Sequence, residues 1–232
     1  MGPDSAFPAH SYPIGGNMKK LREQLAGTVV AAIIAGACFT SAAAQTVIDE
    51  WGSAKLPPPP ALKPATIVPA ETALLVMDFT NQTCSMARRP RCAASVPKVQ
   101  KLVADARARG VLVIYSVAVA GSTAADILKE LTPATGELVL PPLGPDKFIN
   151  SELEGILKGK GIKTVVALGT QAQTSVLHTG AAAALRGFKV IVPVDGMSAD
   201  DVFPELYTAW HLSTAARISA QVTLTKLDLI GY

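Results

Sequence analysis

From residue 73 onward, two kinds of apolar pattern alternate along the chain. Continuous apolar runs occupy Ala73 to Phe79, Val111 to Val117, Thr164 to Leu168 and Lys189 to Val194, each bounded by Gly, Pro or acidic residues. Runs of this length between turn signals are strands buried on both faces. Between them lie segments with helical spacing: Val96 to Arg109 closed by Gly110, Thr123 to Leu131, Ser151 to Lys158, the alanine-rich stretch after Ser175 closed by Gly187, and Ala199 to Ala216. Glu137 to Leu140 reads as a short strand and Gln221 to Lys226 as the last one. Strands and helices in alternation predict an α/β fold, a three-layer sandwich with a mostly parallel, doubly wound sheet. No internal repeat is visible.

Lys163 to Asp195 is the most informative stretch, reading as a strand, a turn at Gly169, a helix start near Ser175 and a second strand. Such a βαβ unit puts its first turn at the carboxyl edge of the sheet. Free backbone N–H groups at a helix start favour negative charge, which gives a nucleophile or an oxyanion site at Ser175 a physical basis. Asp78 closes the first strand. Ligands of doubly wound sheets bind where the strand order reverses, and in the common order 3-2-1-4-5 Asp78 and Ser175 face each other there.

Ahead of this domain, Met18-Lys-Lys-Leu-Arg22 is a basic region, Leu25 to Phe39 an apolar run, and Ser41-Ala-Ala-Ala44 a small-residue cleavage site. Together they predict a secretory signal peptide cut near Ala44, hence a periplasmic or secreted protein with no stable membrane span once mature. Residues 1–44 are read as upstream extension and signal peptide, 45–70 as a Pro-rich arm around Pro57-Pro58-Pro59-Pro60, and 71–232 as the domain. The formal net charge of +3 implies no nucleic-acid surface, and Arg88-Arg89-Pro90-Arg91 reads as a solvated loop. Cleavage would remove Cys38 and leave Cys84 and Cys92, whose plain reading in an oxidising compartment is a short-range disulfide.

Leu74-Leu-Val-Met-Asp78-Phe-Thr-Asn81, Asp146-Lys-Phe148, Gly169-Thr-Gln-Ala-Gln-Thr-Ser175-Val176 with Thr179, and Gly187-Phe-Lys-Val-Ile-Val-Pro-Val-Asp195 resemble the isochorismatase-like (cysteine hydrolase) family over Ala73 to Lys226. The resemblance implies an Asp, a Lys and a nucleophilic Cys as the working set. On this chain Asp78 takes the Asp position, Lys147 is the candidate for the Lys, and Ser175 stands where the family has its Cys. Ala172 occupies a position that is usually Thr. The resemblance also implies a homo-oligomer acting on a small molecule.

Three functions are compatible with these residues. The first is hydrolysis of amides or related carbonyl compounds with Ser175 as nucleophile and Asp78 as base, where His178 is the one nearby imidazole and reads as a surface or packing residue. The second is hydrolysis without a covalent nucleophile, as in the family's vinyl-ether-cleaving members, with Asp78 in acid/base chemistry. The third is a non-catalytic descendant that binds a small molecule. His10, His178 and His211 form no cluster with metal-ligand spacing, and no G-x-G-x-x-G loop is present, so neither metal nor nucleotide cofactor is expected.

Overall fold

Residues 46–232 are described by the structure, a computed structural model, and the expected export segment lies outside them. They divide into two units, one ending at Ala54 and one running from Lys55 to Tyr232. In the first, the Thr46 backbone N–H donates to the Asp49 carboxylate at 2.8 Å and caps the single turn α1 (Val47–Glu50).

In chain order, the second unit holds β1 (Ala65–Thr66), β2 (Thr72–Met77), α2 (Pro90–Ala108), β3 (Leu112–Ser116), β4 (Leu138–Leu140), α3 (Leu153–Gly159), β5 (Thr164–Thr170), α4 (Leu177–Leu185), β6 (Lys189–Pro193), β7 (Met197–Ser198), α5 (Val202–Thr214), β8 (Val222–Thr225) and β9 (Ile230–Gly231). The main sheet runs β4-β3-β2-β5-β6-β8, with β7 pairing to the end of β5, and every pairing in it is parallel. A parallel pair β1-β9 and a hydrogen bond from Lys63 N–H to Leu224 O at 2.9 Å fasten the end of the Pro-rich stretch.

All six residues of β2 are buried, as a central parallel strand requires. Its side chains alternate between two cores. Leu74 and Val76 face Val96, Val99, Leu102, Val103 and Ala106, the inner stripe of α2. Leu75 and Met77 belong to the core under α3, α4 and α5, with Leu153, Leu157, Val176, Ala183 and Leu212. The three layers expected from the alternating pattern are therefore present. The chain leaves β2 toward β3 and β4, then returns to the other side of β2 as β5, so the order reverses between β2 and β5.

Two expected elements differ. The helix expected from Val96 starts six residues earlier, with Pro90 in its first turn, where a missing N–H costs nothing, and it carries Pro97 within it. The helix expected over Thr123 to Leu131 is instead two 3₁₀ turns, Ala124–Asp126 and Lys129–Leu131. Its backbone is engaged elsewhere: Leu128 N–H donates to Phe79 O at 3.0 Å and Asn81 N–H to Asp126 O at 3.0 Å. In α5, Trp210 lies partly exposed in a row with Phe203 and Tyr207.

Candidate active site

Because β2 lies between β3 and β5, the residue after it emerges in the middle of the carboxyl edge, at the reversal point. That residue is Asp78. Its φ of 63° is in the left-handed region, which Asp tolerates better than most side chains but which still costs of order 1–3 kcal/mol. Surrounding hydrogen bonds hold it there. Asp78 N–H donates to Ser116 O at 3.0 Å, and Asp78 O accepts from Thr80 N–H at 2.9 Å and from the Thr83 hydroxyl.

Gly169 makes the close approach of β5 feasible. At its φ of 155° a Cβ would collide with the Met77 carbonyl oxygen and sit 2.7 Å from the Met77 Cβ, so any side chain there would push the two strand ends apart. The Thr170–Gln171 peptide that follows is cis. A π turn over Ala172–Val176 then leads into α4, and Ser175 is the fourth residue of that turn rather than the first of a helix.

Lys147 comes from the loop between β4 and α3. Its backbone N–H donates to Thr179 Oγ1 at 3.1 Å, the Thr179 hydroxyl donates to Pro145 O at 3.1 Å, and Lys147 O accepts from Ser151 Oγ at 2.6 Å. These bonds aim the side chain inward. Its ammonium lies 3.0 Å from Asp78 Oδ2 and donates to Gly144 O at 3.0 Å.

All three residues expected at the site thus meet on one carboxylate. Ser175 Oγ donates to Asp78 Oδ2, the oxygen that also takes the Lys147 ammonium, while Ser116 Oγ donates to Oδ1 at 2.7 Å. Asp78, Lys147 and Ser175 are 0%, 1% and 4% exposed. At such burial a carboxylate and an ammonium are tolerable only as a hydrogen-bonded pair. The arrangement can hold a proton between Oδ2 and its neighbours while keeping bulk water out.

His178 is exposed on α4 and makes no hydrogen bond to Ser175, so no serine-histidine pair forms. Ser116 escaped the sequence reading, and Thr179 entered it only as part of the motif after Ser175, with no role assigned. Each left a trace: Ser116 is a hydroxyl in an apolar strand run, and Thr179 lies four residues after Ser175, on the same side of the helix.

A second polar cluster stands beside the first. Arg89, read from the sequence as part of a solvated loop, is 3% exposed. Its guanidinium donates to Asp200 Oδ1 at 2.9 Å, to Thr83 O at 2.8 Å and to Thr170 Oγ1 at 2.7 Å, and Gln171 Nε2 donates to Asp200 Oδ2 at 2.8 Å. The hydrogen bond from Arg89 holds the Asp200 carboxyl below its usual value, helped by the charges of Arg89 and Arg88. Arg91 is paired with Glu205, so this basic stretch is largely neutralised by acids. Cys84 and Cys92 form a disulfide on either side of Arg89, with a Cα–Cα distance of 5.3 Å. Among the described residues, no group of three or more His, Cys, Asp or Glu is arranged to hold a metal ion, and no helix is long and apolar enough to cross a membrane.

Comparison with known proteins points the same way as the fold. Residues 72–226 match the family model described as the isochorismatase domain. A secreted isochorismatase effector, Isc1, of Verticillium dahliae is 28% identical over 149 residues, which cover 60% of this chain and 78% of that protein. Among solved structures, an isochorismatase family protein from Desulfovibrio vulgaris superposes with a TM-score of 0.62 at 23% identity, covering 68% of this chain and 95% of its own. An isochorismatase-like hydrolase from Alkaliphilus metalliredigens superposes with a TM-score of 0.61 at 25% identity, again covering 68% and 95%.

Proposed function

The chain belongs to the isochorismatase family, and from that premise we propose that it is an exported hydrolase of a small molecule, cleaving an amide, a related C–N bond or a vinyl ether with Asp78 as the proton carrier. One observation carries the reading: a buried carboxylate whose Oδ2 receives both the Lys147 ammonium and the Ser175 hydroxyl. Lys147 is the counter-charge that makes a buried carboxylate tolerable at this position, and a carboxylate is the form of Asp78 that accepts a proton. For a C–N bond, Asp78 Oδ2 takes one proton from a water as that water's oxygen bonds to the scissile carbon, and returns the proton to the leaving nitrogen as its bond to the carbon breaks, so one group serves as base and then acid.

Ser175 acts in this scheme as a hydrogen-bonding partner of Asp78. It stands at the position where the family has its nucleophilic Cys, but a hydroxyl is far harder to deprotonate than a thiol. No imidazole bonds to Ser175 to relay its proton, since His178 is exposed and does not reach it, so we assign no covalent intermediate. A second reading, binding without turnover, draws support from the same closure, because both carboxylate oxygens are already engaged within the protein.

Export is supported by the basic and apolar stretches ahead of Gln45, by the Cys84–Cys92 disulfide and by the relative named as a secreted effector. The function is tested by assaying the purified mature protein on panels of amides, carbamates and vinyl ethers, together with Ser175→Ala. Hydrolysis that Ser175→Ala retains to within about tenfold supports the acid/base route. Loss of about a thousandfold or more would establish covalent catalysis instead. A silent panel would favour binding.

A further inference from the structure

Ser116 grips Asp78 twice. Its carbonyl oxygen accepts the Asp78 N–H at 3.0 Å, and its hydroxyl donates to Oδ1 at 2.7 Å. Both contacts follow from the register of β2 and β3, in which Met77 pairs with Ser116, so that the residue after Met77 turns back across the end of β3. Ser116 is itself 1% exposed and therefore has no water to compete for its hydroxyl.

This grip bears on the chemistry. The last torsion of an Asp side chain has a broad, roughly two-fold profile, so an unheld carboxylate exchanges its two oxygens easily. With Oδ1 held by Ser116, the plane of the carboxylate is fixed and Oδ2 alone faces Ser175 and Lys147. Lys147 is the charged group in contact with the carboxylate, whereas the partners from β3 and from the π turn are neutral hydroxyls. The second charged cluster, Arg89 with Asp200, reaches this region through Thr83 O and Thr170 Oγ1, not through the carboxylate.

We infer that Ser116 is a positioning residue which, by occupying Oδ1, reserves Oδ2 as the one oxygen of Asp78 that exchanges protons with the site. The inference rests on the proposed role of Asp78 for its functional meaning, but its geometry can be tested without a substrate. The readout is solvent exchange of the Lys147 ammonium hydrogens, followed by ¹⁵N NMR on the full mature chain and assigned with Lys147→Met.

In Ser116→Ala the freed carboxylate turns, and Lys147 loses its fixed acceptor. Loss of a hydrogen bond to a charged group is expected to quicken exchange by about tenfold or more. Ser116→Thr keeps the hydroxyl and is expected to restore slow exchange. Should Ser116→Ala fail to fold, Ser116→Cys, close in size and a weak donor, carries the same comparison. Where hydrolysis is found, Ser116→Ala lowers kcat by a similar factor with KM little changed.

Unchanged exchange in the folded Ser116→Ala or Ser116→Cys protein, or equally fast exchange in Ser116→Thr, overturns the inference. The outcome stays separate from the functional reading. Fast exchange in Ser116→Ala alongside full activity in Asp78→Asn would leave the positioning intact and remove Asp78 from the chemistry.

Discussion

Two carboxylates at the same edge of the sheet, Asp78 and Asp200, are each held by cationic and neutral donors, yet they are built for different work. Asp78 is 0% exposed and its partner Lys147 1%, whereas the Asp200 side chain is 47% exposed and only the Arg89 side of that pair is buried. Arg89 also has Thr83 O and Thr170 Oγ1 as acceptors, so it is not dependent on Asp200. Among the described residues, the Lys147 ammonium has only Gly144 O besides Asp78. The second cluster ties together the loop after β2, the end of β5 and the start of α5. The first isolates a single ion pair from water, on a strained backbone, at the place where doubly wound sheets bind ligands.

That contrast is sharpest when each carboxylate is removed. Asp78→Asn leaves the Lys147 ammonium buried without a counter-charge, and a fall in unfolding free energy of about 3–5 kcal/mol is expected in urea titrations. Asp78→Asn combined with Lys147→Met removes both charges and should recover most of that loss. If the single variant is as stable as the parent, the pair is not the isolated one described.

Asp200→Asn should cost less than ~1 kcal/mol, because solvent screens a half-exposed pair and Arg89 keeps its other acceptors. Its signature is in the pH dependence. The Asp200 carboxyl is held below 3.8 chiefly by the hydrogen bond from Arg89, so its contribution is present above that value and is lost as the pH falls through the lower, folded one. The small gap in stability between parent and variant should therefore close in acid, and a gap that widens there would contradict the assignment.

The scaffold was more legible in the sequence than the site. Apolar runs such as Leu74 to Met77 and Val165 to Leu168, short and bounded by turn residues, read as strands buried on both faces, and their alternation with helical segments carries the three layers. Asp78, Lys147 and Ser175 were also named from the sequence, and their side chains meet. What stayed hidden depends on register and tertiary partners. Ser116 gains its place from the pairing of β2 with β3, and Arg89 is buried because Thr170 and Asp200, far along the chain, converge on it. Thr123 to Leu131 has helical spacing, but its backbone groups find partners in Phe79 and Asn81 instead, a choice local pattern does not reveal.

The most direct measurement is the rate constant of Asp78→Asn on whichever substrate the parent hydrolyses, taken at a temperature where circular dichroism shows the variant folded. Loss of a positioned acid/base should lower kcat/KM by about 10²–10⁴-fold. Turnover at the parental rate by the folded variant would contradict the claim that Asp78 carries the proton.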